Sequence, residues 1–173
     1  MSNNNRFALI TSALLALAAN ACSTGAVRPV AMAAAPVECA GGTIRTEDDA
    51  ARYTDCDAVI GDLRITGTNL TDLSSLKHLR SVSGAVVITD NVKLISLAGL
   101  KGLERAHSVE ISNNPLLCAH FGLLPQLKQV AAPVVLNANH GLSNRDVREM
   151  LERVGMVSTQ ADANDAGREA SLR

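Results

Sequence analysis

Gly84-Ala85-Val86-Val87-Ile88-Thr89-Asp90-Asn91-Val92-Lys93-Leu94-Ile95-Ser96-Leu97-Ala98-Gly99-Leu100-Lys101-Gly102-Leu103-Glu104-Arg105-Ala106 holds one complete unit of a repeat. Val86 and Ile88 alternate with Val87, the period-2 pattern of a strand. Leu100, Leu103 and Ala106 follow at intervals of three, broken by turn residues, so they form neither one strand nor a long helix. The unit recurs along the chain. Leu76, Leu100 and Leu124 are 24 apart, as are Leu79, Leu103 and Leu127, and Val82, Ala106 and Val130. The alternating segments Leu63/Ile65, Val86/Ile88, Val109/Ile111 and Val134/Leu136 are spaced by 23, 23 and 25 residues, small differences that turns absorb. A further Leu follows six residues after the second apolar position (Leu94, Leu117, Leu142), or five in the first unit (Leu70). The pattern predicts a mainly β leucine-rich solenoid, a coil of about four 23–25-residue turns with stacked parallel strands.

Outside the repeat, both ends carry capping features. Ser143-Asn144-Arg145-Asp146 has capping-box spacing, with Asp146 in the place of the commoner Glu or Gln. Val147, Met150, Leu151 and Val154 then share one helical face, and Gly155 can take the left-handed stop. Arg145/Glu149, Arg148/Glu152 and Glu149/Arg153 are opposite charges four apart on the outer face, completing a C-terminal capping helix. On the other side, Thr46 to Tyr53 is a candidate short helix flanked by Cys39 and Cys56.

The chain has 173 residues and a formal net charge of −1, which gives no footprint for nucleic acid or an anionic membrane surface. With no Trp, one Tyr and two Phe, the core must be built from Leu, Val and Ile, and carbohydrate binding by ring stacking is disfavoured. Before Cys22 the single charge is Arg6, followed by an apolar run from Phe7 to Ala19 interrupted only by Thr11 and Ser12. That run is too short for a membrane-spanning helix and has the charge-then-apolar order of a secretory signal, with Ala19-Asn20-Ala21 as small residues before cleavage. Cys22 after that triplet resembles the lipid-modified Cys of a bacterial lipobox, although Ala19 stands where Leu is usual and Asn20 is atypical. Lipidation of Cys22 would anchor the chain, with Ser23 pointing to the outer membrane. The alternative is simple secretion with Cys22 unmodified. The expected layout is a signal peptide at 1–21, the anchor Cys and an Ala/Pro-rich tether at 22–38, the folded domain at 39–155 and a disordered tail at 156–173.

Cys56-Asp57-Ala58-Val59-Ile60-Gly61-Asp62-Leu63-Arg64-Ile65 resembles the opening turn of the receptor L domain, with its Cys, apolar pair, Gly and alternating apolar residues. Cys39 with Thr43-Ile44-Arg45 is similar to the preceding segment of that family, Gly84 to Ile88 repeats the opening, and Ile111-Ser112-Asn113-Asn114-Pro115-Leu116 resembles its Asn-Pro turn. The resemblance spans about Cys39 to Val154 and implies a right-handed β-helix. It also implies a Cys39–Cys56 disulfide, closing a loop of about 17 residues and contributing roughly 3 kcal/mol in the loop-entropy model. Cys118 is then left over, a small buried hydrophobe or else a reactive thiol. In growth-factor receptors such domains come in pairs with cysteine-rich modules. Here neither a second domain nor such a module is found, so receptor activity is not carried over and protein binding remains.

The residues offer few sites for chemistry. His78, His107, His120 and His140 lack short metal-ligand spacing, no Gly-x-Ser-x-Gly or phosphate-binding Gly pattern occurs, and Asp48 and Asp49 beside Glu47 read as a solvated helix start. We therefore expect no cofactor, no metal and no catalytic residue. Asn91, Asn114 and Asn139 each lie three residues after the second apolar strand position, where they can stack as a ladder bonding the backbone of adjacent turns. By alternation the outward row of the sheet comprises Arg64, Val87, Glu110 and Val135, with Thr66, Thr89, Ser112 and Asn137 beside them. Val87 and Val135 suit a covered surface, or reflect strand propensity alone. The expected function is that of an exported, lipid-anchored cell-envelope protein that binds another protein through this face. A purely structural envelope protein and an exported hydrolase or metalloprotein are the alternatives.

Overall fold

The computed structural model describes residues 35–119 and 122–156. Cys22, the apolar run before it, His120, Phe121 and the segment after Met156 lie outside the described residues. Strands β1 (Glu38–Ile44), β2 (Ala58–Thr66), β3 (Ser81–Thr89) and β4 (Arg105–Ser112) pair in chain order, and β5 (Gln129–Val130) and β6 (Val134–Asn137) both pair with β4. All pairings are parallel. Helix α1 (Glu47–Ala51) follows β1, and helix α2 (Asn144–Arg153) follows β6. The domain is thus mainly β, a parallel sheet with few helices. No helix among the described residues is long and apolar enough to cross a membrane.

Register explains the repeat. Leu63 faces Val86, Val86 faces Val109 and Val109 faces Val134, while Ile44, Ile65, Ile88, Ile111 and Leu136 form the next inward row. Almost every member is buried, so each strand contributes the same two side chains to one continuous core. Leu76 and Leu100 each end a 3-10 turn, at Ser74–Leu76 and Ala98–Leu100, and Leu79, Leu103 and Leu127 pack beside them without exposure. A fully buried Leu contributes about 1.5–3 kcal/mol, so these columns dominate the fold's stability. The 3-10 turns also bury Leu73 and Leu97, which the periodic positions leave out. They sit tightly, because a Cβ on Gly99 would collide with the Leu73 carbonyl of the preceding unit.

The strands are longer than the alternating segments. Val82 and Ala106, which spacing groups with the preceding Leu positions, open β3 and β4 and pair with each other, so Val82, Val86 and Ile88 share one strand. A register irregularity between Val82 and Ala85 bends the sheet there. Gly61 has φ +103° at the matching point of β2, and its N–H donates to Ser83 Oγ at 2.8 Å. A Cβ on Gly84 would come within 2.6 Å of the Gly61 carbonyl carbon, so only Gly lets the strands approach at this bend. In the last unit the same bend splits the strand into β5 and β6. The N–H groups of Ala131 and Ala132 both donate to the His107 carbonyl, and Pro133 has no N–H to continue the ladder.

At the opposite corner the chain turns through left-handed backbone at Gly67, Asp90, Asn113 and Ala138, and the following residues, Thr68, Asn91, Asn114 and Asn139, are buried polar groups. They form the ladder expected of the asparagines. Asn114 Nδ2 donates to the Ile88 carbonyl and to Asn139 Oδ1, both at 3.0 Å, while Asn114 Oδ1 accepts from the Asn91 N–H at 3.2 Å and Asn91 Nδ2 at 3.1 Å. Thr68 is the first rung, giving Asn91 Oδ1 its hydroxyl proton at 2.8 Å and its N–H at 3.0 Å. A hydroxyl suffices at that end.

Both helices begin as the sequence indicates. Thr46 caps α1 and Ser143 caps α2, each in a reciprocal capping box with Asp49 and Asp146. Val147, Met150 and Leu151 are buried, and Gly155 stops α2 at φ +73°. Of the three charge pairs expected along α2, Arg145–Glu149 forms at 2.9 Å. Arg153 does not reach Glu149. It donates instead to the carbonyls of Leu123 (3.3 Å) and Leu124 (3.1 Å), which the preceding loop leaves open to it. Cys39 and Cys56 form a disulfide with Cα atoms 5.9 Å apart, joining β1 to the start of β2.

Candidate binding face

The parallel register sets Thr43, Arg64, Val87, Glu110 and Val135 side by side on the outward face, one each from β1, β2, β3, β4 and β6. Adjacent strands lie about 4.8 Å apart, so Arg64 and Glu110 flank Val87 about 10 Å from each other, too far for an ion pair. Arg64 and Glu110 are exposed, whereas Val87 and Val135 are half-buried. Thr66, Thr89, Ser112 and Asn137 make the neighbouring row, with Thr89 Oγ1 donating to Thr66 Oγ1 at 3.1 Å. The side chains predicted by alternation therefore lie in two adjacent rows.

Electrostatics at this face centre on Asp62, in the bend of β2. Its Oδ1 accepts the Ala85 N–H at 2.9 Å, and its Oδ2 accepts from Arg64 at 2.9 Å. The Ala85 hydrogen bond first, and then the Arg64 one, hold the Asp62 carboxyl below its ordinary range. The pair is exposed, so it orients the guanidinium more than it stabilises the domain. Half-buried Val87 lies between exposed Arg64 and Glu110, and Val135 follows beyond Glu110. The two rows present hydroxyls, one amide, one guanidinium and one carboxylate, and no nucleophile stands beside a base.

The remaining candidates are scattered. His78, His107 and His140 are exposed, and among the described residues no three His, Cys, Asp or Glu side chains are grouped to hold a metal ion. Cys118 is unpaired and half-buried rather than buried, with its Sγ 3.5 Å from the Leu116 carbonyl. It follows Leu117 in the chain, and Leu117 takes the inward position.

Parallel strands paired along the chain, with an inward Leu/Val/Ile core and ordered outward rows, define a parallel β-sheet domain. The receptor L domain family model matches residues 41–130, more than half of the chain, and the protein belongs to that family. The family is one of binding domains rather than catalytic ones. Neither curated proteins nor solved structures give a match.

Proposed function

We propose that this protein is an exported, lipid-anchored component of a bacterial cell envelope, in the outer membrane, whose L domain binds another protein through the row Arg64, Val87, Glu110 and Val135. In this reading residues 1–21 are a signal peptide, Cys22 carries the lipid, and an Ala/Pro-rich tether leads to a domain at 39–155. The domain coils as a right-handed leucine-rich β-helix of about four turns. The observation that carries the binding role is the alignment of two half-buried valines with two exposed opposite charges in a single row across four strands. Support for export and anchoring comes from Arg6, the apolar run and the small residues before Cys22.

Two measurements test the reading. Intact mass of the protein from the native membrane fraction should give a chain starting at Cys22 with added acyl mass; an unmodified soluble chain would remove the anchor. For the face, a V87K/E110K variant should lose the partner captured by the wild-type protein on crosslinking in cells. Its unfolding transition should stay within about 0.5 kcal/mol, as for surface substitutions. Full retention of that partner would refute the assignment of this row.

A further inference from the structure

Beyond the bend at Gly61 and Gly84, the first halves of the strands form a second outward surface, separate from the row just described. The register runs Ala58, Ser81, Arg105, Gln129 in one row. Ile60 and Ser83 stand two residues further along β2 and β3, and His107 two residues further along β4. The short side chains of Ser81 and Ser83 leave an open groove of about 630 Å3 there, walled on one side by Val154 after α2.

Two features of this groove call for an occupant. Ile60 is 54% exposed at one end, a large apolar side chain with no cover among the described residues. At the other end Arg105 and Lys128 are exposed and make no ion pair among the described residues, and His107 stands with them. No carboxylate lines the groove. Of the nearby acids, Asp62 bonds Ala85 and Arg64, Glu104 pairs with Arg80 at 3.8 Å, and Glu38 stands beside Ala58 on β1, at the end of the row away from Arg105 and Lys128. The domain is close to neutral as a whole, so an unneutralised cationic end beside an uncovered apolar one is a local feature.

We infer that this groove binds an extended, acidic segment of a partner protein, with an apolar residue against Ile60 and carboxylates against Arg105 and Lys128. The span fits. From β2 to β5 there are three strand spacings of about 4.8 Å, or about 14 Å, which four to five extended residues cover at about 3.3 Å each. The lining also favours a protein over a nucleic acid. A phosphate backbone would match the cations and leave Ile60 uncovered, and no Phe, Tyr or Trp lines the groove to stack a base. An acidic–apolar peptide satisfies both ends, with charge complementarity setting its direction.

The test uses the purified full chain and a fluorescein-labelled peptide, Leu-Ala-Leu-Ser-Glu-Ser-Glu, read by anisotropy. The wild-type chain should bind this peptide, and bind the version with Lys in place of both Glu at least about tenfold more weakly. An R105E/K128E variant should lose about tenfold or more in affinity for the Glu peptide, and rising salt should weaken binding. Both substituted residues are exposed, and an unchanged circular dichroism melt confirms that the variant folds. V87K/E110K should bind the peptide like wild type, which separates this groove from the face proposed above. Equal affinity for the two peptides, or an R105E/K128E variant that binds as well as wild type, would overturn the inference. Displacement of the peptide by a single-stranded oligonucleotide would overturn it in favour of nucleic acid. A dimer dissolved by R105E/K128E would overturn it in favour of a second copy. Tighter peptide binding by D162N/D165N would do so in favour of the chain's own C-terminal segment.

Discussion

Leu100→Ala should lower the free energy of unfolding by about 2–5 kcal/mol, to be read from urea titration followed by circular dichroism. Leu100 ends a 3-10 turn, is 0% exposed and belongs to the column of Leu residues that recurs through the chain. Truncation removes transfer free energy and leaves a cavity. The cavity cannot close easily, because the turn above it rests through Gly99 on the Leu73 carbonyl with no room for a Cβ. Backbone already in contact does not move inward, so the loss falls toward the upper end of the range. A loss below about 0.5 kcal/mol, the size expected of a surface site, would mean that the repeated leucines are not the core.

Asn114→Ala should cost about 3 kcal/mol or more, although it removes only a small polar side chain. Four buried groups would lose a bond: the Ile88 carbonyl, the Asn91 N–H, Asn91 Nδ2 and Asn139 Oδ1. Each unsatisfied buried group costs about 1–3 kcal/mol, and some relaxation reduces the sum. Asn113→Ala is the internal control. Asn113 is exposed, bonds Asp90 Oδ1 at 2.7 Å and sits at φ 55°, so Ala there costs about 1 kcal/mol from the left-handed backbone. If the two variants unfold at the same denaturant concentration, the ladder does not hold the corner together.

Much of this architecture is legible in the sequence because its causes are local or periodic. Leu63, Val86 and Val109 alternate with outward residues, and their spacing alone puts them in one inward row. Ser143 and Asp146 announce the start of α2 because a capping box needs only four consecutive residues. Three asparagines at one place in the repeat announce a ladder. Thr68 escapes notice because the first rung needs only a donor, so the residue type changes where the pattern begins. Leu73 and Leu97 escape because 3-10 turns bury positions that a strand-and-turn reading leaves outside. Arg153 looks like a partner for Glu149, but the carbonyls of Leu123 and Leu124 come from a loop distant in sequence.

By itself the sequence determined the parallel β character of the domain, its inward rows and the cap of α2; the rows follow because a repeated unit too small to bury its own apolar side chains must pack against its neighbours. It also carried enough of the receptor L domain pattern to indicate the Cys39–Cys56 bridge. Only the tertiary structure decided how the outward side chains are shared between two surfaces. That division depends on the bend at Gly61 and Gly84 and on the register shift between Val82 and Ala85. A bulge changes which residues face each other without changing the composition of the repeat. The same bend leaves Arg105 and Lys128 at the end of a groove opposite Ile60, a placement no local pattern around either residue signals.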